Sequence, residues 1–209
     1  SKVWRISGST SVNLKPVLSQ FIFFLSCGFS ASIVVPDHLN DWTVLQESDV
    51  WVGWTMKDNI QWCRAEKILP FELKRISTII EDKGNYPSVF RRIEEAVILS
   101  NDIVHISLDM PFPFSGRDYI VRYVSNKTEN EFTYTFTADN EIEIPVRKNY
   151  VRLINAGGQW RLTPTEKGKT KVTYVWNGEL RGDFPNWALE RAWKVQGTEV
   201  LNWLNEALK

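Results

Sequence analysis

The residues best suited to act on another molecule lie between Met110 and Tyr123, in the run MPFPFSGRDYIVRY. Pro111 and Pro113 cannot donate ladder hydrogen bonds, so a preceding strand must stop there, and Ser115-Gly116 supplies turn chemistry before the chain resumes as a strand. Along that strand Tyr119, Val121 and Tyr123 fall on one face, and Ile120 and Arg122 on the other. An arginine set among apolar residues is the anomaly here. At Arg117 a paired structural role competes with a functional one, because buried charges are normally paired, whereas Arg122 is the stronger candidate for a ligand contact. Acid–base catalysis would call for a carboxylate or histidine held among apolar residues. Glu141 and Glu143 flank Ile142, but alternating Glu and Ile read better as an exposed strand or loop over a cavity mouth. The only histidines are His38 and His105, with no metal-ligand spacing, and Cys27 and Cys63 are too few and too far apart for a metal motif or disulfide framework. Cys63 reads as a lone thiol, and no metal or other cofactor is expected.

Around this run the chain reads as an antiparallel sheet with two helices. Residues 43–48, 50–55 and 60–68 form three strands, joined at Ser48-Asp49 and Asp58-Asn59. After Leu69-Pro70 the period changes: Phe71, Leu73, Ile76, Ile79 and Ile80 recur at helical spacing, predicting a helix over 70–82 that stops at Lys83-Gly84-Asn85. Strands are expected at 93–99, 102–110, 118–124 and 132–137, then a hairpin of 151–156 and 159–163 over Gly157-Gly158, with 169–180 closing the sheet. A long helix runs from Pro185 to Leu208. Leu189, Trp193, Gln196, Val200, Trp203 or Leu204, and Ala207 make its apolar stripe, while Glu190, Arg191, Lys194, Glu199 and Glu206 face away. A curved sheet folded round such a helix leaves a space between them unless bulky side chains fill it, and an enclosed apolar space is a ligand site by default.

The 209 residues suit a leader and linker over 1–40 followed by one domain over 41–209. The 25 basic side chains balance 25 acidic ones, with no long run of one sign, which argues against nucleic acid as a partner. Ten tryptophans exceed what ordinary packing requires and suit a lined cavity or a membrane-facing rim, a Trp-rich core being the alternative. Within residues 14–32, Lys15, the apolar stretch from Phe21 to Phe29 and the small residues Ser30, Ala31 and Ser32 have the layout of a secretory signal peptide cut after Ser32. The expectation is therefore a secreted or periplasmic monomer. A lipoprotein box that acylates Cys27, and a structural segment of a cytoplasmic protein, stand as alternatives. The stretch is too short for a transmembrane helix.

Three segments, in order, resemble the START (StAR-related lipid transfer) domain family: Pro111 to Tyr123; Gly157-Gly158-Gln159-Trp160-Arg161-Leu162-Thr163-Pro164 with Lys169 to Tyr174; and Gly182-Asp183-Phe184-Pro185-Asn186-Trp187. The resemblance implies an α+β helix-grip fold, a curved antiparallel β-sheet wrapped around a long C-terminal α-helix. It also implies one hydrophobic ligand, a lipid, sterol or fatty-acyl molecule, held in the internal cavity and carried between membranes through transient membrane contact. The candidate contacts are Tyr119, Tyr123, Tyr134, Trp160, Tyr174 and Trp176 on the strands, with Arg122 and His105, and Trp193 and Gln196 on the helix. Arg122 matches an arginine that, in sterol-binding relatives, pairs with a carboxylate on the preceding strand; here Ile106 and Ser107 stand at the matching positions, so sterol specificity is not implied. The closing helix and residues 138–146 are the expected gate, with Ile142 and Ile144 entering the headgroup region and Arg147 and Lys148 meeting phosphates. A carrier rather than an enzyme is expected, although related helix-grip folds include cyclases and hydrolases that use the same cavity.

Overall fold

The computed structural model describes residues 33–209; the expected signal segment and Cys27 lie outside the described residues. Strands β1 (Thr43–Gln46), β2 (Trp51–Lys57) and β3 (Ile60–Leu69) form the expected meander. Asp58 and Asn59, at the β2–β3 turn, both adopt positive φ, which a two-residue hairpin requires and which Asp and Asn tolerate. The later strands are β4 (Ile93–Ser100), β5 (Ile103–Leu108), β6 (Gly116–Lys127), β7 (Phe132–Ala138), β8 (Tyr150–Arg152), β9 (Gly157–Pro164) and β10 (Thr170–Asn177). They assemble in the order β1-β2-β3-β10-β9-β7-β6-β5-β4, while β8 lies parallel to the start of β6.

Strand β10 closes the sheet from within, pairing with β3 on one side and β9 on the other and so joining the first meander to the rest. One expectation about the sheet is corrected. Gly157-Gly158 is not a hairpin turn but the start of β9, paired with Thr137 and Phe136 of β7. The missing side chains are what admit the strand: a Cβ on Gly158 would run into the Val175 carbonyl oxygen and the Phe136 ring.

Helix α1 (Leu73–Glu81) buries Ile76, Ser77 and Ile80 and lies within the expected 70–82 span. Lys83–Asn85 does not end the helical region; it forms a 3-10 turn that leads into a short α2 (Tyr86–Val89), with Pro87 in the first turn, where a missing N–H costs nothing. Helix α3 (Leu189–Ala207) follows a 3-10 turn over Asn186–Ala188 and so starts four residues later than expected. Leu189, Trp193, Gly197, Leu201 and Leu204 recur every three or four residues and are buried against the sheet. Gly197 sets the closeness of that contact, since a Cβ there would lie 2.9 Å from both Ala65 and the Trp176 ring. Val52, Ala65, Trp176, Leu201 and Leu204 belong to the resulting core.

Residues 33–42 pack on the outer side of the sheet. Ile33 is buried, the Thr55 hydroxyl donates to the Asn40 carbonyl at 2.8 Å, and the Arg64 guanidinium lies 4.4 and 4.5 Å from the rings of Trp42 and Trp51. Among the described residues no helix is long and apolar enough to cross a membrane.

Candidate functional site

Between the sheet and α3 lies a cavity of about 460 Å³. Its sheet wall comes from β5, β6, β7, β9 and β10, through Ile106, Tyr119, Tyr123, Phe136, Trp160 and Tyr174. The α2 region contributes Tyr86 and Phe90, and α3 contributes Ala192, Gln196 and Val200. Strand register brings the wall together: Ile106 opposes Tyr119, Tyr123 opposes Phe136, and Trp160 opposes Tyr174. The rings then lock one another. Trp160 stacks on Tyr174 at 4.2 Å and on Phe90 at 5.9 Å, both at 28° between planes, and Tyr174 stacks further on Trp176 at 5.0 Å.

The polar groups inside are mainly phenols. The Tyr86 hydroxyl donates to the Ile80 carbonyl at 2.7 Å, and Tyr119, Tyr123 and Tyr174 present their phenols to the cavity beside the Gln196 amide. Burial pushes Tyr86, Tyr119, Tyr123 and Tyr174 well above the ordinary phenol value, so all four stay uncharged near neutral pH. A close ion pair in the wall joins Arg92, just before β4, to Glu199 of α3, with Nε and Nη2 donating to the two carboxylate oxygens at 2.6 and 3.0 Å. Glu199 and Arg191 therefore border the cavity rather than facing away from it, as the helical stripe had suggested.

The cavity mouth lies between the β5–β6 connection, with Asp109, Met110, Pro111 and Phe114, and the approach to α3, with Phe184, Trp187 and Arg191. Phe114 packs on Phe184 at 4.7 Å between centroids. Arg117 ties the two sides together from beneath: its Nε donates to the Leu180 carbonyl at 2.6 Å, and Nη2 donates to the Arg181 carbonyl at 2.9 Å and to Asp183 at 3.0 Å. Nη1 donates to the Ser115 carbonyl. Of the two roles open to Arg117, the structure shows the paired, structural one.

The expected contacts divide into two groups. Tyr119, Tyr123, Trp160, Tyr174 and Gln196 border the cavity; Arg122, His105, Tyr134, Trp176 and Trp193 do not. Arg122 is corrected to the outer side of the sheet, where its side chain is 52% exposed and pairs with Asp139 at 2.6 Å, because strand alternation turns it away from Tyr123. His105 shares that outer side, and its Nε2 lies 2.9 Å from Asp118. Tyr134 points towards α1 and donates its hydroxyl proton to Glu81 at 2.6 Å. Trp176 fills the core under Gly197, and Trp193 donates Nε1–H to the Gly178 carbonyl at 2.7 Å while packing on Trp54. The expected gate over 138–146 is also corrected. No residue of that segment borders the cavity; it is held on the outer side, where Asn140 donates to the Ile154 carbonyl at 3.0 Å and Arg152 to the Ile144 carbonyl at 3.1 Å.

Asp118 organises that outer side. Its carboxylate is 2% exposed and accepts from Arg152 Nε at 2.9 Å and Nη2 at 2.7 Å, besides His105. Burial alone would raise its pKa, but the bonds from Arg152 and His105 outweigh burial and hold it below the usual carboxylate range. Because the folded value is the lower one, the unfolded chain binds more protons near pH 4, and the stabilisation present above that pH is lost as pH falls through the folded value. Urea unfolding from pH 6 to pH 2 should therefore show a shallower acid decline for Asp118→Asn than for the parent protein, and identical declines would refute the role given to Asp118.

A second space of about 430 Å³ separates residues 35–42 from the outer side of the sheet, but its Arg64, Glu66 and Lys171 are engaged with one another. Among the described residues no cluster of His, Cys, Asp and Glu is arranged to hold a metal ion.

A long C-terminal helix gripped by a curved antiparallel sheet, with a cavity between them, defines a helix-grip protein. The START domain profile matches residues 35–209, and the chain belongs to that family. A STAR-related lipid transfer protein from Xanthomonas axonopodis shares the fold with a TM-score of 0.70 at 19% identity, over 81% of this chain and 99% of that one. Human StAR-related lipid transfer protein 5 does so with a TM-score of 0.71 at 16% identity, over 80% and 86%. A Streptomyces aromatase/cyclase shares it with a TM-score of 0.52 at 13% identity, over 70% and 92%. In sequence, an uncharacterized protein of Pseudomonas aeruginosa is 32% identical over 80 residues, 38% of this chain; the match spans only 40% of that relative's length.

Sequence reasoning missed Tyr86, Phe90, Arg92 and Phe136. Four-residue α2 is too short to show a period, and a stop at Lys83-Gly84-Asn85 made residues 86–92 look like loop. Phe136 was within reach, since it alternates with Tyr134 on β7.

Proposed function

We propose that the protein binds one hydrophobic ligand in this cavity and carries it between membranes, docking by the rim of the cavity mouth. The observation that supports this most is the coincidence of the mouth with exposed aromatic side chains: Phe112 is 97% exposed on the β5–β6 connection, and Trp187 is 87% exposed on the approach to α3. Large rings left in water at one site suit insertion among lipid headgroups, and the exposed Arg191 beside them suits lipid phosphates. Movement of α3 or of the β5–β6 connection then supplies the route for the ligand.

The test is transfer of a pyrene-labelled lipid between vesicles. Changing Phe112 to Asp should slow transfer about tenfold, equivalent to ~1.4 kcal/mol, while ligand loading in solution stays unchanged, and adding Trp187→Asp should slow transfer further. Unaltered transfer would overturn docking at this rim, and absence of any bound lipid in native mass spectrometry would overturn the binding reading.

The shared fold of the aromatase/cyclase supports a second reading, in which the cavity acts on a hydrophobic small molecule. The interior phenols and the Gln196 amide suit holding a ligand better than moving protons near neutral pH. Turnover of an aromatic polyketide or ester panel by the purified protein would favour this second reading instead.

A further inference from the structure

The space on the outer side of the sheet, under residues 35–42, is built for a different kind of molecule from the interior cavity. We propose that it binds a small hydroxyl-bearing monocarboxylate, a sugar acid being the type, and that the Arg64 guanidinium holds the carboxylate. This site is separate from the interior cavity and stands or falls without it.

Strand register lays the floor. Arg64 and Glu66 on β3 stand opposite Val175 and Thr173 on β10, which in turn stand opposite Gln159 and Arg161 on β9. With Thr163 and Lys171 beside them, these side chains line a space of about 430 Å³ whose other wall is residues 35–42. Pockets for apolar molecules are lined mainly by apolar and aromatic side chains. Here guanidinium, amide and hydroxyl groups alternate along the floor, which suits a ligand rich in hydroxyls.

Arg64 is held ready for an oxyanion. Its guanidinium carbon lies 4.4 Å from the Trp42 ring centroid and 4.5 Å from that of Trp51, and the two indoles meet edge to face at 81°. Gly53, opposite Arg64, makes room for this clamp, since a Cβ there would lie 2.5 Å from the Trp51 ring. Trp42 is fixed in turn, its Nε1–H donating to the Leu39 carbonyl at 3.0 Å. A guanidinium fixed by two rings loses little freedom on binding and keeps its planar fork for a carboxylate. Its Nε is buried and, among the described residues, has no hydrogen-bond partner; Glu66 stands 3.6 Å away, beyond a normal hydrogen bond. A buried donor without an acceptor is costly, and a ligand carboxylate supplies one.

Charge sets the class of anion. Glu66 answers two cations at once: Oε1 lies 3.6 Å from Arg64 and accepts the Thr173 hydroxyl at 3.2 Å, while Oε2 lies 3.0 Å from Lys171. Beside them Arg161 lies 3.8 Å from Glu131 and donates to the Gln159 amide oxygen at 3.1 Å. Arg64, Lys171 and Arg161 thus face Glu66 and Glu131, which leaves one positive charge over; Asp37, the remaining acid bordering the space, is exposed on the opposite wall. A single surplus charge matches a monocarboxylate. A phosphate monoester carries about −1.5 to −2 near neutral pH, and its second charge would lie against Glu66 and Glu131.

Calorimetry on the purified full chain at low ionic strength, with glucuronate, glucose, glucose 6-phosphate and inorganic phosphate as probes, tests this. Glucuronate should bind about tenfold or more tightly than each of the others. Arg64→Gln should weaken glucuronate about tenfold, whereas Glu66→Gln, which removes the carboxylate competing for Arg64, should tighten it about threefold. In amide NMR spectra glucuronate should shift Arg64 and Thr173 and leave Ala192 and Gln196 in place. Glucose binding as tightly as glucuronate would overturn the role of Arg64, and a phosphate binding as tightly would overturn the carboxylate class. Shifts at Ala192 and Gln196 instead would put the sugar acid in the interior cavity and overturn this site. Should Arg64→Gln fail to fold, Glu66→Gln decides alone, unchanged or weaker binding being the overturning result. No heat with any of the four probes would overturn the site outright and leave the interior cavity's reading untouched.

Discussion

Replacing Arg117 by alanine is expected to lower the unfolding free energy by about 3 kcal/mol or more. The side chain is 0% exposed and donates to three backbone carbonyls, those of Ser115, Leu180 and Arg181, as well as to Asp183. Truncation leaves those buried acceptors without their donor. Lysine is no remedy, because a single ammonium cannot span acceptors arranged around a planar fork. Asp183→Asn should cost far less, since that carboxylate is 42% exposed. The consequence reaches beyond stability: Ser115 lies on one side of the cavity mouth and Leu180 to Asp183 on the other, so losing Arg117 also unties the rim. Urea unfolding is the measurement, and a loss below about 1 kcal/mol would show that the Arg117 bonds contribute little.

Ala192→Trp is expected to reduce ligand loading at least tenfold. Ala192 faces the cavity from α3, one residue before the core-facing Trp193, so an indole there projects into space that the ligand requires. Filling an existing cavity strains a core less than overpacking a full one, and stability should change by under about 1.5 kcal/mol. Lys194→Trp, on the exposed side of the same helix, is the control and should leave loading intact. Native mass spectrometry after lipid extraction reads both variants, and full loading of Ala192→Trp would place the ligand elsewhere.

The family and its architecture were legible because they are carried by local patterns: the turn at Pro111 to Gly116, the strand alternation after it and the long period-3.6 stripe of α3. The same alternation also decides which face Arg122 takes. Arg122 and Tyr123 are adjacent on one strand, so they cannot both border one cavity, and the arginine went to the outer side with Asp139. Other features depend on partners far away in the chain. Gly157-Gly158 has the composition of a turn, and only the approach of Phe136 and Val175 shows that bare backbone was needed inside a strand. Trp193 lay on the apolar stripe, as a cavity residue would, but whether a stripe residue meets ligand or sheet depends on the rotation of the helix. That rotation is set by Gly197 against Ala65 and Trp176. Charged residues misled in the same way: Glu199 reads as solvent-facing until Arg92, more than a hundred positions earlier, is seen to meet it.

The pairing of β3 with β10, which sets Trp62 opposite Asn177 and Leu69 opposite Thr170, carries a consequence for biosynthesis. On the ribosome the first meander emerges more than a hundred residues before its neighbour strand, and α3, which covers its apolar face, comes later still. Val52, Cys63 and Ala65 must therefore stay in water, or under a chaperone, until β10 and α3 have been made. Such long-range closure makes folding slow and late, since loop entropy is lost before the distant contacts form. A ribosome stalled before Leu189 would hold a chain whose sheet has no helix to grip.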